Sequence, residues 1–577
     1  MHMTHHSKGE FLIAYLSMEI ALDPGVPNYA GGLGVLAGDT LRSAADMGLP
    51  TAAVSLLYRK GYFRQKLDDR GQQSEEPVEW KPEERLEALS RRASVEIEGR
   101  KVAIRPWKFV VKGCMGHEVP VYLLDTNLPE NAEQDRGLTD YLYGGDNHHR
   151  LCQEAVLGIG GVRILRELGH RHLMRFHLNE GHAALAILAL LEERMGKKAE
   201  VTPDMLAHVK EHCVYTTHTP VPAGHDAFPS DLTRQVLGEA RQNTLKACGQ
   251  DGGLNMSTLA LRNSRYTNAV ALKHAKVSLG IFPPGAEVHA ITNGVHIPTW
   301  ASPAMQKLFD AHLAGWREDP LTLRYIIDVP DDEMWTAHMD SKQALIDLVN
   351  RRSGAGFNRD VLTLGFARRM TGYKRPMLIF EDLARLKSMA KYVGPLQVVF
   401  AGKAHPRDEE GKGLIRRIYE VIQALRGRVP VAFLEGYDMN LAKQMVSGVD
   451  VWVNTPRPPM EASGTSGMKA AVNGVPSLSV RDGWWMEGHI EEVTGWAVGE
   501  HIDDTQNPAH DSRYATSLYN ELSKSILPMF YEDRAAFIGV MKNTVAHNAS
   551  YFNTHRMVSQ YVRFAYGLPK LLGGPEA

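Results

Sequence analysis

Val361-Leu-Thr-Leu-Gly-Phe366, running into Ala367-Arg-Arg-Met-Thr-Gly-Tyr-Lys-Arg375, is the stretch that decides the fold. An apolar, strand-like run enters a polar turn, and a helical pattern follows over Met377–Ala390. The same unit recurs downstream. Strand-like runs sit at Leu396–Ala401, Val431–Leu434, Val451–Asn454 and Ser477–Val480. Helical patterns lie between and after them, at Gly413–Leu425, Leu441–Ser447 and Gly467–Val472. Strand then helix, repeated with short connections, predicts right-handed βαβ units and a parallel sheet, hence an α/β fold. Ligands of such sheets bind beyond the carboxyl ends of the strands, so the residues just after each strand are where chemistry is expected.

The first half reads less regularly. A strand-like run at Phe11–Leu16 is followed by the glycine turn Tyr29-Ala-Gly-Gly-Leu-Gly34 and a helical pattern over about Leu36–Met47. Ser74–Arg92 is charged and reads as a solvated insertion. An amphipathic helix is expected over Ala183–Met195 and a short strand over Cys213–Thr217. The Asp/Pro-rich stretch Asp328–Asp332 is the expected linker between halves. At about 150 residues per domain, the length suggests roughly four domains or two large ones. The expected division is 11–330 and 331–577, the last helices packing back on the first half. The polar, histidine-rich residues 1–10 read as a disordered or added leader.

Lys plus Arg is 65 and Asp plus Glu is 67, a formal charge of −2, which gives no electrostatic case for nucleic-acid binding. Hydrophobic residues at 44% and charged residues at 23% describe a globular chain. Cys114, Cys152, Cys213 and Cys248 form no CxxC pair, and are expected to be reduced, mostly buried thiols of a cytoplasmic protein. No apolar run reaches the roughly 18 residues of a membrane span, and no signal peptide is read.

Two loops after strands carry the chemistry. Arg368, Arg369, Lys374 and Arg375 crowd into eight residues at a strand end, before a helix whose first turn suits Pro376. Guanidinium groups there grip phosphate with paired hydrogen bonds, although a solvated basic turn is the plainer alternative. The second loop, Met460-Glu-Ala-Ser-Gly-Thr-Ser-Gly-Met-Lys-Ala-Ala-Val-Asn473, offers N–H groups and hydroxyls at a helix start. Lys469 is expected in that helix's first turn, against the dipole, so either it is an ordinary exposed lysine or its amine is kept for Schiff-base chemistry. In the first half, Gly31-Gly-Leu-Gly34 could lay its backbone on a phosphate or sugar. His177 and His182 lack the spacing of a zinc helix and read as hydrogen-bonded side chains, and no metal site is expected. His218 follows a strand and is a pocket candidate; Trp484-Trp485 is either core or a sugar-stacking platform.

The segment Glu461–Asn473 resembles the pyridoxal-phosphate attachment motif of the α-glucan (glycogen, starch, maltodextrin) phosphorylases. Tyr15-Leu-Ser-Met-Glu19, Gly31-Gly-Leu-Gly34, Leu178-Asn-Glu-Gly-His182, His218-Thr219, Thr292-Asn-Gly-Val295 with Trp300, Arg368-Arg369, Tyr373-Lys-Arg375 and Glu435-Gly-Tyr437 resemble further family segments, in family order. The resemblance implies two Rossmann-like domains facing a deep cleft, a GT-B-type glycosyltransferase architecture. It implies phosphorolysis of terminal α-1,4-linked glucosyl residues by inorganic phosphate, giving glucose 1-phosphate with retention. Pyridoxal 5′-phosphate would be held as an aldimine on Lys469, its phosphate acting as acid and base through the substrate phosphate. Arg368, Thr465, Tyr437 and Trp300 match cofactor contacts. Arg369, Lys374 and the Gly32 N–H match the substrate-phosphate site. Asn293, His218, Glu461, Ser463 and Gly464 match sugar contacts, the His218 carbonyl facing the oxocarbenium-like centre.

The implied partners are α-1,4-glucan and phosphate or glucose 1-phosphate, with neither nucleic acid nor membrane, and family members are often homodimers. The chain is shorter than the animal and plant enzymes, so control by phosphorylation or AMP is not implied. Ser466-Gly467 stands where the family usually has Gly-Asn, and Ala21 where it often has an aromatic, which bears on substrate preference. Two rivals are a nucleotide-sugar-dependent glucosyltransferase of the same architecture, which needs no Lys469, and a glucan-binding protein with an inactive site.

Overall fold

The computed structural model describes residues 11–196, 198, 200–221, 224–499 and 510–573; the leader expected at 1–10 lies outside them. The five strands expected in the second half all form, with a sixth at Gly495–Val498. They make one parallel sheet in the order Val431–Leu434, Leu396–Ala401, Leu362–Ala367, Val451–Asn454, Ser477–Val480, Gly495–Val498. Their side chains are buried on both faces, which is why the sequence shows continuous apolar runs there instead of alternation. Aspartates start several of the helices that follow. Asp408 accepts the Gly411 N–H at 2.8 Å and Asp438 the Leu441 N–H at 2.8 Å, so these two helices start on a capped turn.

The first half holds a ten-stranded sheet. Seven of its strands are parallel, in the order His289–Ala290, Tyr266–Ala269, Cys213–Thr216, Arg175–Asn179, Ile13–Ser17, Thr51–Leu56, Glu118–Asp125. The long strand Arg100–Lys112 adds antiparallel at the edge. Ranked by chain position, the parallel strands of the second sheet follow the doubly wound order 3-2-1-4-5-6, and those of the first follow the same order extended by a seventh strand. In each sheet the order reverses between the first and fourth strands, and the crevice past those two strand ends is the expected ligand position.

Several expectations need correction. The Ser74–Arg92 insertion is not simply solvated: it begins inside the strand Gln73–Glu76, Pro82 and Leu86 are buried, and Trp80 donates to the Tyr58 carbonyl at 3.0 Å. Together with Arg64–Leu67 that strand forms a hairpin docked on the second half. Gln65 donates to Gly402 O at 2.9 Å and Glu435 accepts the Leu67 N–H at 2.7 Å. The expected linker is folded: a 3₁₀ run over Pro320–Asp328 leads into the helix Asp331–Ser353. The helix at 183–195 starts at Ala186 and is buried on every face through Leu191, so it is a core helix and not an amphipathic one. Pro376 opens no regular helix: Arg375 has φ +46°, a short 3₁₀ turn covers Leu378–Phe380, and the α-helix begins at Leu383. Trp484 and Trp485 are 2% and 0% exposed, and belong to the core. Of the cysteines, Cys114 is exposed and the other three are buried.

The last helices lie against the first half. Arg556 donates to the carbonyls of Thr292 and Asn293 at 2.6 and 2.9 Å, and the Tyr566 hydroxyl is 2.7 Å from His177 Nδ1. Gly294 makes this approach possible, since a Cβ there would sit 2.2 Å from the Asn553 backbone. Gly294→Ala is therefore expected to cost about 1–3 kcal/mol through overpacking. A lowered thermal midpoint with earlier proteolytic release of the tail beyond 550 would show it; an unchanged midpoint would contradict it.

Candidate active site

Both reversal points carry the loops singled out in the sequence. Arg368–Lys374 leaves the strand Leu362–Ala367 and the 460–469 segment follows Val451–Asn454, the two neighbours between which the second sheet reverses. In the first sheet the glycine loop follows Ile13–Ser17, and Glu180-Gly181-His182 follows Arg175–Asn179.

Lys469 belongs to the helix Thr465–Val472 but stands in its last turn, not its first. The dipole there favours a cation, so the expected conflict with the dipole does not exist. Burial is the constraint instead. The side chain is 8% exposed, its amine lies 4.2 Å from the centre of the Trp300 ring, and desolvation lowers its pKa to about 8. Asn473, one turn on, fixes the arrangement. Its amide donates to Trp300 O and Lys469 O at 2.9 and 3.0 Å, and its oxygen accepts the Ser302 N–H.

Glu461 gathers the basic loop. Lys374, 8% exposed, donates to both its carboxylate oxygens at 2.8 and 2.7 Å, and Arg368 donates at 2.8 Å. Arg368 also donates to Asn454. Although burial opposes it, the pull of Arg368 and Lys374 holds the Glu461 carboxyl down to about 2. With this folded value below the unfolded one, the pair stabilises fully above roughly pH 4.5 and the contribution is lost as pH falls toward 2. Arg369, by contrast, is exposed and makes no hydrogen bond or ion pair among the described residues. Tyr437 is half-buried near Arg368, and burial raises its pKa. Thr465 is the first residue of the lysine helix, which no side chain caps; Gly464 before it has φ +85°. The Ser463 hydroxyl and the Arg368 Nε are buried without a hydrogen-bond partner among the described residues.

On the other side, Gly32 is already the first residue of the helix Gly32–Asp46, exposed, with open space where a Cβ would stand. Glu19, which carried no assigned role in the sequence, shapes this loop: its carboxylate accepts the N–H groups of Ala30 and Gly31 at 2.6 and 3.1 Å and the Tyr143 hydroxyl at 2.8 Å. His218 is held by Asn179 at 2.8 Å, and its backbone N–H donates to Glu180 at 2.8 Å; burial lowers its pKa to about 3, leaving the ring neutral. Glu180 has φ +74°, a strained geometry of the kind that collects at functional sites. Asn293 is buried, and its side-chain oxygen has no hydrogen-bond partner among the described residues. The structure thus joins Lys469 to Trp300, and Arg368 to Lys374 through Glu461. Gly32, His218 and Asn293 form no hydrogen bond with those residues among the described ones.

His177 is hydrogen-bonded through both ring nitrogens, but His182 is not: its Nδ1 lacks a partner and its Nε2 is 3.4 Å from Asp226. Glu154, His182 and Asp226 converge closely enough to hold a cation, a group the sequence spacing did not reveal. The Arg150 guanidinium, 3.4 Å from Glu154 and 3.1 Å from Asp226, supplies positive charge there.

Clustered cations, two helix starts that no side chain caps and a desolvated lysine amine make a site suited to anions. The carbohydrate phosphorylase family model matches residues 16–105 and 238–527. The maltodextrin phosphorylase of Thermococcus litoralis is 40% identical over 97% of this chain and 71% of its own length. The glycogen phosphorylase of Aquifex aeolicus is 34% identical over 98% and 88%, and an uncharacterised protein of Methanocaldococcus jannaschii 31% over 96% and 99%. The chain belongs to the carbohydrate phosphorylase family, as one of its α-glucan phosphorylases. Its residues also fit the family's cofactor, an aldehyde bearing a phosphate: a buried amine of lowered pKa faces an indole, and unpartnered Arg368 Nε and Ser463 Oγ lie nearby in sequence and strand order. Among the described residues no helix is long and apolar enough to cross a membrane.

Removing the Glu461 charge leaves two buried cations uncompensated. Glu461→Gln is expected to cost about 3–5 kcal/mol. Inorganic phosphate should raise the melting temperature of the variant more than that of the parent. Equal responses would show that the Arg368–Lys374 cluster is not an anion site.

Proposed function

We propose that this enzyme catalyses reversible phosphorolysis of terminal α-1,4-linked glucosyl residues of glycogen, starch or maltodextrins, giving α-glucose 1-phosphate with retained configuration. The observation that carries the reading is the burial of the Lys469 amine against Trp300, in a helix that follows the same strand reversal as the Arg368–Lys374 loop. The names of the relatives, a maltodextrin phosphorylase and several glycogen phosphorylases, supply the substrate class.

In this reading 11–330 and 331–577 are two Rossmann-like domains whose reversal points face each other across a cleft. Lys469 binds pyridoxal 5′-phosphate, with Arg368, Thr465, Tyr437 and Trp300 around it. When bound, that cofactor supplies a phosphate able to exchange a proton with the substrate phosphate. The chain's own residues do the rest. Arg369, Lys374 and the Gly32 N–H hold the substrate phosphate, and their charge offsets the repulsion of two phosphates brought close together. Arg369, which has no hydrogen-bond or ion-pair partner among the described residues, is available for this role. Glu461 is moved from its cations toward a sugar hydroxyl, with Asn293, Ser463 and Gly464 completing the glucosyl pocket. The neutral His218 ring keeps its loop fixed on Asn179, so that the backbone carbonyl is presented to the anomeric centre as positive charge develops there.

Borohydride reduction followed by peptide mass spectrometry is expected to place a pyridoxyl adduct on Lys469, and Lys469→Ala to lose both the chromophore and glucose 1-phosphate formation. An adduct on another lysine, or normal turnover in the variant, would refute the assignment. Lys374→Ala is expected to fold and to lose most of its phosphate-dependent rate, so unchanged kinetics would reduce the basic loop to a structural turn.

A further inference from the structure

Asp39 is a fully buried carboxylate on the glycine-loop helix, and the family resemblance gave it no role. One of its oxygens accepts the Trp300 indole N–H at 2.7 Å and the His296 backbone N–H at 3.2 Å. The other lies 3.4 Å from Arg42, whose guanidinium is also drawn to the carbonyls of Ala21 and Leu22 at 3.1 and 2.6 Å. The face of the same indole carries the Lys469 amine at 4.2 Å. Three elements therefore meet edge to face: the helix that presents Gly32, the short helix Ile297–Trp300, and the lysine helix. A carboxylate on an indole N–H makes the ring more electron-rich and fixes its tilt, and both effects strengthen its hold on a cation at its face.

We propose that Asp39 is a positioning residue for Lys469, acting through Trp300 to set the orientation and protonation of the amine that captures the cofactor aldehyde. This rests on the cofactor assignment above. In the capture step the neutral amine attacks the aldehyde carbon; a C=N bond forms, the aldehyde oxygen departs as water, and the two protons of that water come from the amine. Only the unprotonated amine reacts, so the negative charge of Asp39 keeps the amine protonated to higher pH. The other charges around Asp39 are Arg42, Asp46 and Lys443, with the rings of His296 and His555 on Asp46 at 2.7 and 3.5 Å. Burial pushes the Lys469 amine toward its neutral form, and the Asp39 carboxylate opposes that push.

The test is the rate at which cofactor-stripped protein takes up pyridoxal 5′-phosphate, followed by absorbance from pH 6 to 9.5. For the parent chain the rate should rise with a midpoint near 8. In Asp39→Asn the midpoint should move down by about half a unit, equivalent to about threefold more neutral amine at low pH. Trp300→Phe should shift it in the same direction, and the double variant should add little beyond either, since both break one link. Asp39→Glu should restore the parental midpoint. Coincident midpoints in parent and Asp39→Asn, or fully additive shifts, would overturn the role of Asp39. Should Asp39→Asn not fold, a Trp300→Phe midpoint equal to that of the parent would overturn it. A parent protein that takes up no chromophore would overturn the cofactor reading instead.

Discussion

An amine on a helix within the fold, held out of water against an indole ring, constrains most of what surrounds it. Lys469 is buried, among the described residues no carboxylate is bonded to it, and desolvation disfavours its charged form. Keeping it there requires walls from distant parts of the chain. Trp300 comes from the first half, its N–H tied to Asp39, and Asn473 clamps the backbone of the lysine helix to that of Trp300. The amine cannot be positioned unless both halves are folded and joined. The C-terminal helices strengthen the join, since Thr554 and Arg556 bind the glycine-loop helix and the Thr292–Asn293 segment respectively.

Topology explains why so few contacts bring the relevant loops into place. A doubly wound sheet opens a crevice where its strand order reverses, and here that happens twice. In the second sheet the reversal exposes the Arg368–Lys374 loop beside the segment 460–469. In the first it exposes the glycine loop beside Glu180 and the His218 turn. Each crevice is then shaped by one buried carboxylate: Glu461 binds side-chain cations, whereas Glu19 binds backbone N–H groups. The difference matters chemically. Side-chain cations can exchange a carboxylate for a phosphate, while the N–H groups of Ala30 and Gly31 are committed to Glu19 and Gly32 stands exposed with open space beside it.

Much of the second half was legible in the sequence because its strands are buried on both faces and so read as continuous apolar runs; those at Leu396–Ala401 and Val451–Asn454 needed no tertiary information. Gly495–Val498 was missed because its four residues give too short a pattern. The first half was harder to read. The Gln65 and Gln73 side chains look like solvated polar residues, yet they are buried because the partners they need are the Gly402 and Ala404 carbonyls of the other half. Lys469 was placed one turn too early because the glycines of the motif obscured a helix that starts at Thr465. Asp39 carried a usable signal, a lone carboxylate among Val35, Leu36, Ala37 and Leu41 on a buried helix face. Its partner, the Trp300 N–H, lies far along the chain, where no local pattern could point to it.

The strained and orphaned groups fall on the same side of this account. Glu180 adopts a positive φ that its own side chain helps to hold, through the His218 N–H, the Thr219 hydroxyl and the Tyr215 hydroxyl. The unpartnered oxygens of Asn293 and Ser463 are costly unless something bonds to them. A fold selected for stability alone would relax the first and fill or satisfy the second. Glu180 and Ser463 lie just past strands at the two reversal points, while Asn293 follows the edge strand His289–Ala290; a ligand rich in hydroxyls or phosphate oxygens bound at these positions would supply the missing partners.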